Sequence, residues 1–125
     1  MEKNENIKAN DLETKIVYKE KNIPLVFNLN VMQNIQIEYG SFDKWAKLTE
    51  GGEGKETDVK ALIFGLCEMM NEGIEIQNEE NGTDEPLLTL KQAGRIITAV
   101  GLNNASAIMQ KTVIDASKDD SSKNA

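Results

Sequence analysis

The sequence predicts an α+β chain that is mostly α: an N-terminal β-hairpin followed by about five helices in a small bundle. Three observations carry this prediction. Two short runs rich in β-branched residues flank a polar turn near the start. Beyond residue 28, apolar residues recur at helical spacing in one segment after another. These segments open on Asn, Ser, Thr or Asp, and several close on a glycine.

Residues 1–12 are polar and are expected to form a flexible tail, with a single domain over 13–116. "TKIVYK" (Thr14–Lys19) suits a strand, Glu20–Asn22 a polar turn, and "IPLVFN" (Ile23–Asn28) a second strand with Pro24 at an edge or strand start. A lone hairpin is marginal in water and must lean on helices. Asn28 or Asn30 can cap the next helix, in which Leu29, Met32, Ile35 (or Gln36) and Tyr39 fall on one face before Gly40. Ser41 starts a short helix whose Phe42, Trp45 and Leu48 share a face. Thr49–Thr57, with three glycines in "GGEG", reads as a flexible loop.

Thr57 or Asp58 caps the longest helix, from Val59 to about Gly73, with Val59, Leu62, Ile63, Leu66, Met69 and Met70 as its stripe. Ile74 and Ile76 either extend this helix or begin an extended exit. Gln77–Pro86 is expected to be an acidic loop. Thr89 caps a helix to about Val100, with Leu90, Ala93, Ile96, Ile97 and Val100 inward. Gly101 ends it, and Asn103 or Asn104 opens a last helix through Ala105, Ile108, Met109, Thr112 and Val113. Ser117–Ala125 reads as a disordered tail.

Composition narrows the function classes. With 125 residues and 39% hydrophobic content, one domain can bury a modest core, filled mainly by aliphatic and methionine side chains because only 5% is aromatic. The net charge of −7 repels phosphate backbones and argues against a nucleic-acid partner. One cysteine fits a reducing compartment, and no apolar run approaches the length of a membrane span or forms a signal-peptide core. A soluble, cytoplasmic protein is the expectation.

The chain contains no histidine, the side chain most used for acid–base chemistry and transition-metal binding near neutral pH. Cys67 lies mid-helix with no base to activate it and reads as a small buried hydrophobe. Glu68, Glu72 and Glu75 share a helix face, which would suit a metal or an acid–base pair but more often marks a solvated side. "NEENGTDE" offers Asn78, Glu80, Gly82 and Asp84 as calcium ligands but lacks the EF-hand order, so it reads as an acidic turn. In "GGEGK", Lys55 is followed by Glu56 and no buried strand precedes it, so it is not a phosphate loop. Leu88–Lys111 has the outline of a helix-turn-helix, yet its only cations are Lys91, Arg95 and Lys111, and an αα-hairpin is the plainer reading. Met32, Met69, Met70 and Met109 either fill gaps in the core or form an adaptable interaction surface. No catalytic, cofactor-binding or metal-binding residue is therefore assigned.

The order of these elements resembles the tail assembly chaperones of long-tailed, siphovirus-type bacteriophages and of prophages in Gram-positive hosts. The resemblance spans roughly Thr14 to Ala116. It rests on "FNLNVMQNIQIEY" at Phe27–Tyr39, the helix opening at Thr57–Leu66, and "LTLKQAG" at Leu88–Gly94. It implies a non-enzymatic protein without cofactors that coats the tape-measure protein until tail-tube subunits polymerise around it. Such a protein acts in the host cytoplasm, is absent from the mature virion, and could self-associate. The resemblance also implies that a programmed frameshift could yield a longer form. A structural tail component of the virion and a small helix-turn-helix regulator are the alternatives.

Overall fold

In the computed structural model the described residues are 14–50 and 56–124, with side chains described as far as residue 118. An antiparallel hairpin, β1 (Lys15–Tyr18) and β2 (Lys21–Pro24), precedes five helices: α1 (Leu29–Tyr39), α2 (Phe42–Glu50), α3 (Val59–Asn81), α4 (Leu90–Val100) and α5 (Leu102–Asn124). This is the α+β, mostly α, arrangement the sequence predicts.

The hairpin turn starts one residue earlier than expected and is one residue shorter. Lys15 pairs with Pro24 and Tyr18 with Lys21, so the connection is the dipeptide Lys19–Glu20, with φ of 50° and 65°. Two positive φ values match the twist of the strands, but they are uncomfortable for side-chain-bearing residues. The second strand ends at Pro24, which faces Lys15 at a position whose N–H makes no ladder bond, so the proline costs the pair nothing. The chain stays extended beyond it: Leu25 N–H donates to the Thr14 carbonyl at 2.8 Å and Val26 N–H to that of Met69 at 3.2 Å.

Side-chain caps set most helix starts. Asn28 accepts from Val31 N–H at 3.2 Å, Ser41 from Lys44 N–H at 3.0 Å, and Asp58 from Ala61 N–H at 2.9 Å. Thr89 and Gln92 form a reciprocal capping box before α4. Asn103 and Asn104 do not open α5. That helix begins at Leu102, directly after Gly101, and the Asn104 amide donates back to the Val100 carbonyl at 3.1 Å. It continues through 117–124, the segment expected to be an unstructured tail, where no Gly or Pro interrupts propagation. The tail expected over residues 1–12 and the glycine loop over 51–55 lie outside the described residues; Thr49 and Glu50, expected in that loop, are helical.

α3 is the axis of the molecule. It is eight residues longer than its expected end at Gly73 and runs to Asn81, where Gly82 caps it in the left-handed conformation at φ 68°. Ile74 and Ile76 thus continue the helix, and Gln77–Asn81 belong to it rather than to a loop. Its buried Leu62, Leu66, Met69 and Met70 meet Ile16 of β1, Val31 and Ile35 of α1, Trp45 of α2, Ile96 of α4 and Met109 of α5 in one cluster. Three of the four methionines weighed as a partner surface are therefore core.

Several expected inward positions face water instead. On α1 the buried residues are Val31 and Ile35, while Leu29 is 80% exposed. Asn28 and Asn30 donate to the Glu72 carboxylate at 2.8 and 3.2 Å, and Asn34 donates to Glu68 at 2.7 Å. Leu29 lies about 200° around the helix from Val31, so burying Val31 and Ile35 turns it outward while the asparagines meet α3 at the edge of the interface. Val59, Leu90 and Leu48 are likewise exposed, and in α2 Thr49 takes the buried place with its hydroxyl on the Ala46 carbonyl at 3.0 Å.

Two helix glycines allow close approach. The Trp45 indole lies on Gly65 and donates its N–H to the Ala61 carbonyl at 2.9 Å, while Gly73 receives the Pro24 carbonyl at the end of β2.

Candidate functional site

A groove of about 660 Å³ lies between the hairpin, the C-terminal half of α3, the loop that follows, and α4. Apolar side chains line its base: Ile23 and Pro24 from β2, Ile74 from α3, Leu88 from the loop, and Ile96 from α4. Its rim carries exposed cations, Lys19 and Lys21 from the hairpin and Arg95 from α4. Lys21 pairs with Glu85 across one side at 3.3 Å, and the Lys19 ammonium lies 5.4 Å from the Tyr18 ring centroid. Asn22, Gln77, Asn81, Thr83 and Gln92 share the lining, so the groove is mixed in character, apolar side chains alternating with groups able to hydrogen-bond.

The loop wall of this groove is held by two asparagines of α3. Asn71 accepts from Leu88 N–H at 2.7 Å and donates to the Leu88 carbonyl at 3.0 Å. Asn78 does the same to Glu85, accepting from its N–H and donating to its carbonyl, each at 3.0 Å. A side-chain amide has the donor and acceptor of a peptide group, so each asparagine pairs with a backbone as a strand would. The spacings agree. Seven helical residues advance about 10.5 Å and three extended residues about 10 Å, so both clamps close together. Asn78 also accepts from the Thr83 hydroxyl at 2.9 Å. The acidic turn is therefore organised by an amide, with Asn78 committed to the chain itself. No sequence argument singled out Asn71; its seven-residue offset from Asn78 on a long helix was the signal available.

Burial raises the pKa of the Cys67 thiol to about 11, with Glu68 adding to the shift and the Asn71 amide opposing it. It sits 3.6 Å from the Leu88 carbonyl and stays protonated at neutral pH, a state that suppresses nucleophilicity. Glu68 and Glu72 are taken up by the asparagines of α1, and Glu75 is exposed. Among the described residues no group of three or more Cys, Asp or Glu is placed to hold a metal ion. α4 and α5 are joined through Gly101 alone, and Lys111 pairs with Asp115 at 3.4 Å, which leaves Lys91 and Arg95 as the exposed cations of residues 88–111.

A second, shallower trough of about 220 Å³ lies between α2 and α5, with Phe42, Trp45 and Ala46 on one side and Met109, Val113 and Ile114 on the other. Among the described residues no helix is long and apolar enough to cross a membrane. No protein-family model, no curated protein and no solved structure matches this chain.

Proposed function

We propose that this protein is a non-enzymatic phage tail assembly chaperone, which binds the tape-measure protein and keeps its apolar surface covered until the tail-tube subunits assemble around it. The observation that carries the reading is the groove beside the hairpin, with apolar side chains in its lining and a pre-set wall. Its wall costs little to order on binding, because Asn71 and Asn78 already fix the loop backbone. The order of sequence elements, with its landmarks at Phe27–Tyr39, Thr57–Leu66 and Leu88–Gly94, supports the more specific identification.

The net charge of −7 suits this role, since a negatively charged coat keeps a greasy client dispersed. The protonated state of Cys67 gives no support to a thiol-based reaction. In this reading the protein works in the host cytoplasm and leaves before the particle is complete.

Co-expression with tape-measure fragments tests it. The fragments should stay in the supernatant when the chain is present and precipitate without it. Equal precipitation in both cases refutes the proposal, and stoichiometric recovery of the chain from mature virions would favour a structural tail component.

A further inference from the structure

We propose that the groove selects an amphipathic protein segment that carries carboxylates beside its apolar side chains, against the charge of the molecule as a whole. This deepens the client-binding reading above and rests on it for the nature of the partner. The starting point is a local inversion of sign. The chain totals −7, yet the groove is lined by three cations, Lys19, Lys21 and Arg95, and by one carboxylate, Glu85. Glu85 is engaged by Lys21 at 3.3 Å, so the rim has a surplus of positive charge.

Arg95 is the chain's single arginine and makes no ion pair among the described residues. It projects from the same face of α4 as Gln92 and Ile96, which also line the groove. A planar guanidinium offers a bidentate donor fork, which suits a carboxylate better than water does when the site is partly enclosed. Lys19 is placed on the groove's rim by the hairpin turn, in a left-handed conformation that a lysine seldom adopts. The apolar side chains that line the groove would take those of the same segment. Field lines from like charges in a concave site are focused, so these cations act on a bound segment more strongly than scattered surface lysines would.

The test exploits the conflict between local and total charge. Two labelled amphipathic peptides share their leucine positions; one carries glutamate and the other lysine at every polar position. Fluorescence anisotropy is measured with the full chain at low and moderate salt. Total charge favours the lysine peptide. The groove favours the glutamate peptide, by about tenfold for one close charge pair, and Arg95→Glu should remove that preference. Arg95 is exposed, so circular dichroism of the variant should match the parent. Tighter binding of the lysine peptide, no binding of either, or an unchanged preference in Arg95→Glu overturns the proposal. So does equal competition by a single-stranded oligonucleotide, because the apolar base would then be irrelevant. If Arg95→Glu keeps tape-measure fragments soluble as well as the parent does, this assignment falls and the chaperone reading stands. If the glutamate peptide binds as expected while fragments precipitate regardless, the chaperone reading falls and the groove's selectivity stands.

Discussion

Replacing Gly65 by alanine should cost far more than one methyl group suggests. A Cβ at this position would press on Trp45 Cζ2 and lie 2.9 Å from Cε2 and 3.1 Å from Nε1. The indole is 2% exposed and cannot swing into solvent without opening the core. Moving it breaks the 2.9 Å bond from its N–H to the Ala61 carbonyl. Leaving that buried pair unmade costs about 1–3 kcal/mol. Overpacking costs roughly another 1–3 kcal/mol, and alanine returns about 1 kcal/mol of helix propensity. At mid-range the net loss is about 3 kcal/mol, or about 12 °C in Tm for a chain of this size. Urea unfolding followed by far-UV circular dichroism and by the emission of Trp45, the sole tryptophan, measures it directly. Gly94→Ala is the control, since its Cβ would meet only Ile63 Cδ1 at 3.6 Å, an ordinary contact, and it should stabilise by about 0.5–1 kcal/mol. If Gly65→Ala proved as stable as the parent, the placement of the indole on α3 would be wrong.

Asn71→Leu removes both partners of the Leu88 backbone and should destabilise by about 2 kcal/mol in the same unfolding assay. Tyr39→Phe should be neutral or mildly stabilising, by up to about 1 kcal/mol, because the buried hydroxyl has no hydrogen-bond partner among the described residues. The raised pKa of Cys67 gives a pH dependence of defined sign. The folded thiol holds its proton up to about 11 while the unfolded one releases it near 9.0, so its contribution is complete below pH 9 and lost between the two values. Melting curves of the parent and Cys67→Ala should therefore converge over that window. Replacing Lys19–Glu20 by Asn–Gly should stabilise the hairpin by about 1 kcal/mol, read by thermal melting, while weakening binding of the glutamate peptide.

What was legible in the sequence was local. Thr89 declared its cap, Asn28 and Asp58 were each one of two candidates, and Gly40 and Gly101 marked their helix ends, because each depends on neighbours within a turn. What escaped depends on partners far along the chain. Leu29 looked apolar enough to be buried, but Val31 and Ile35 take the inward face against α3, and the bonds from Asn28, Asn30 and Asn34 to Glu72 and Glu68 at its edge join residues 34 to 44 apart. The end of α3 was hidden by composition: Gln77–Asn81 resembles a loop until Gly82 is recognised as the cap. The groove itself was invisible, since it joins the hairpin, α3 and α4 only after folding. Arg95 was weighed solely as a weak contribution to nucleic-acid binding.

The paired asparagines bear on how the groove could diverge. Their bonds engage Leu88 and Glu85 through the main chain alone and make none with the two positions between, Pro86 and Leu87. Leu87 is 44% exposed on the groove wall. Deleting or inserting one residue there would put the two rulers out of step and release one end. Exchanging a side chain would not. Evolution can thus rewrite the taste of this surface at 86 and 87 by substitution while its length stays frozen.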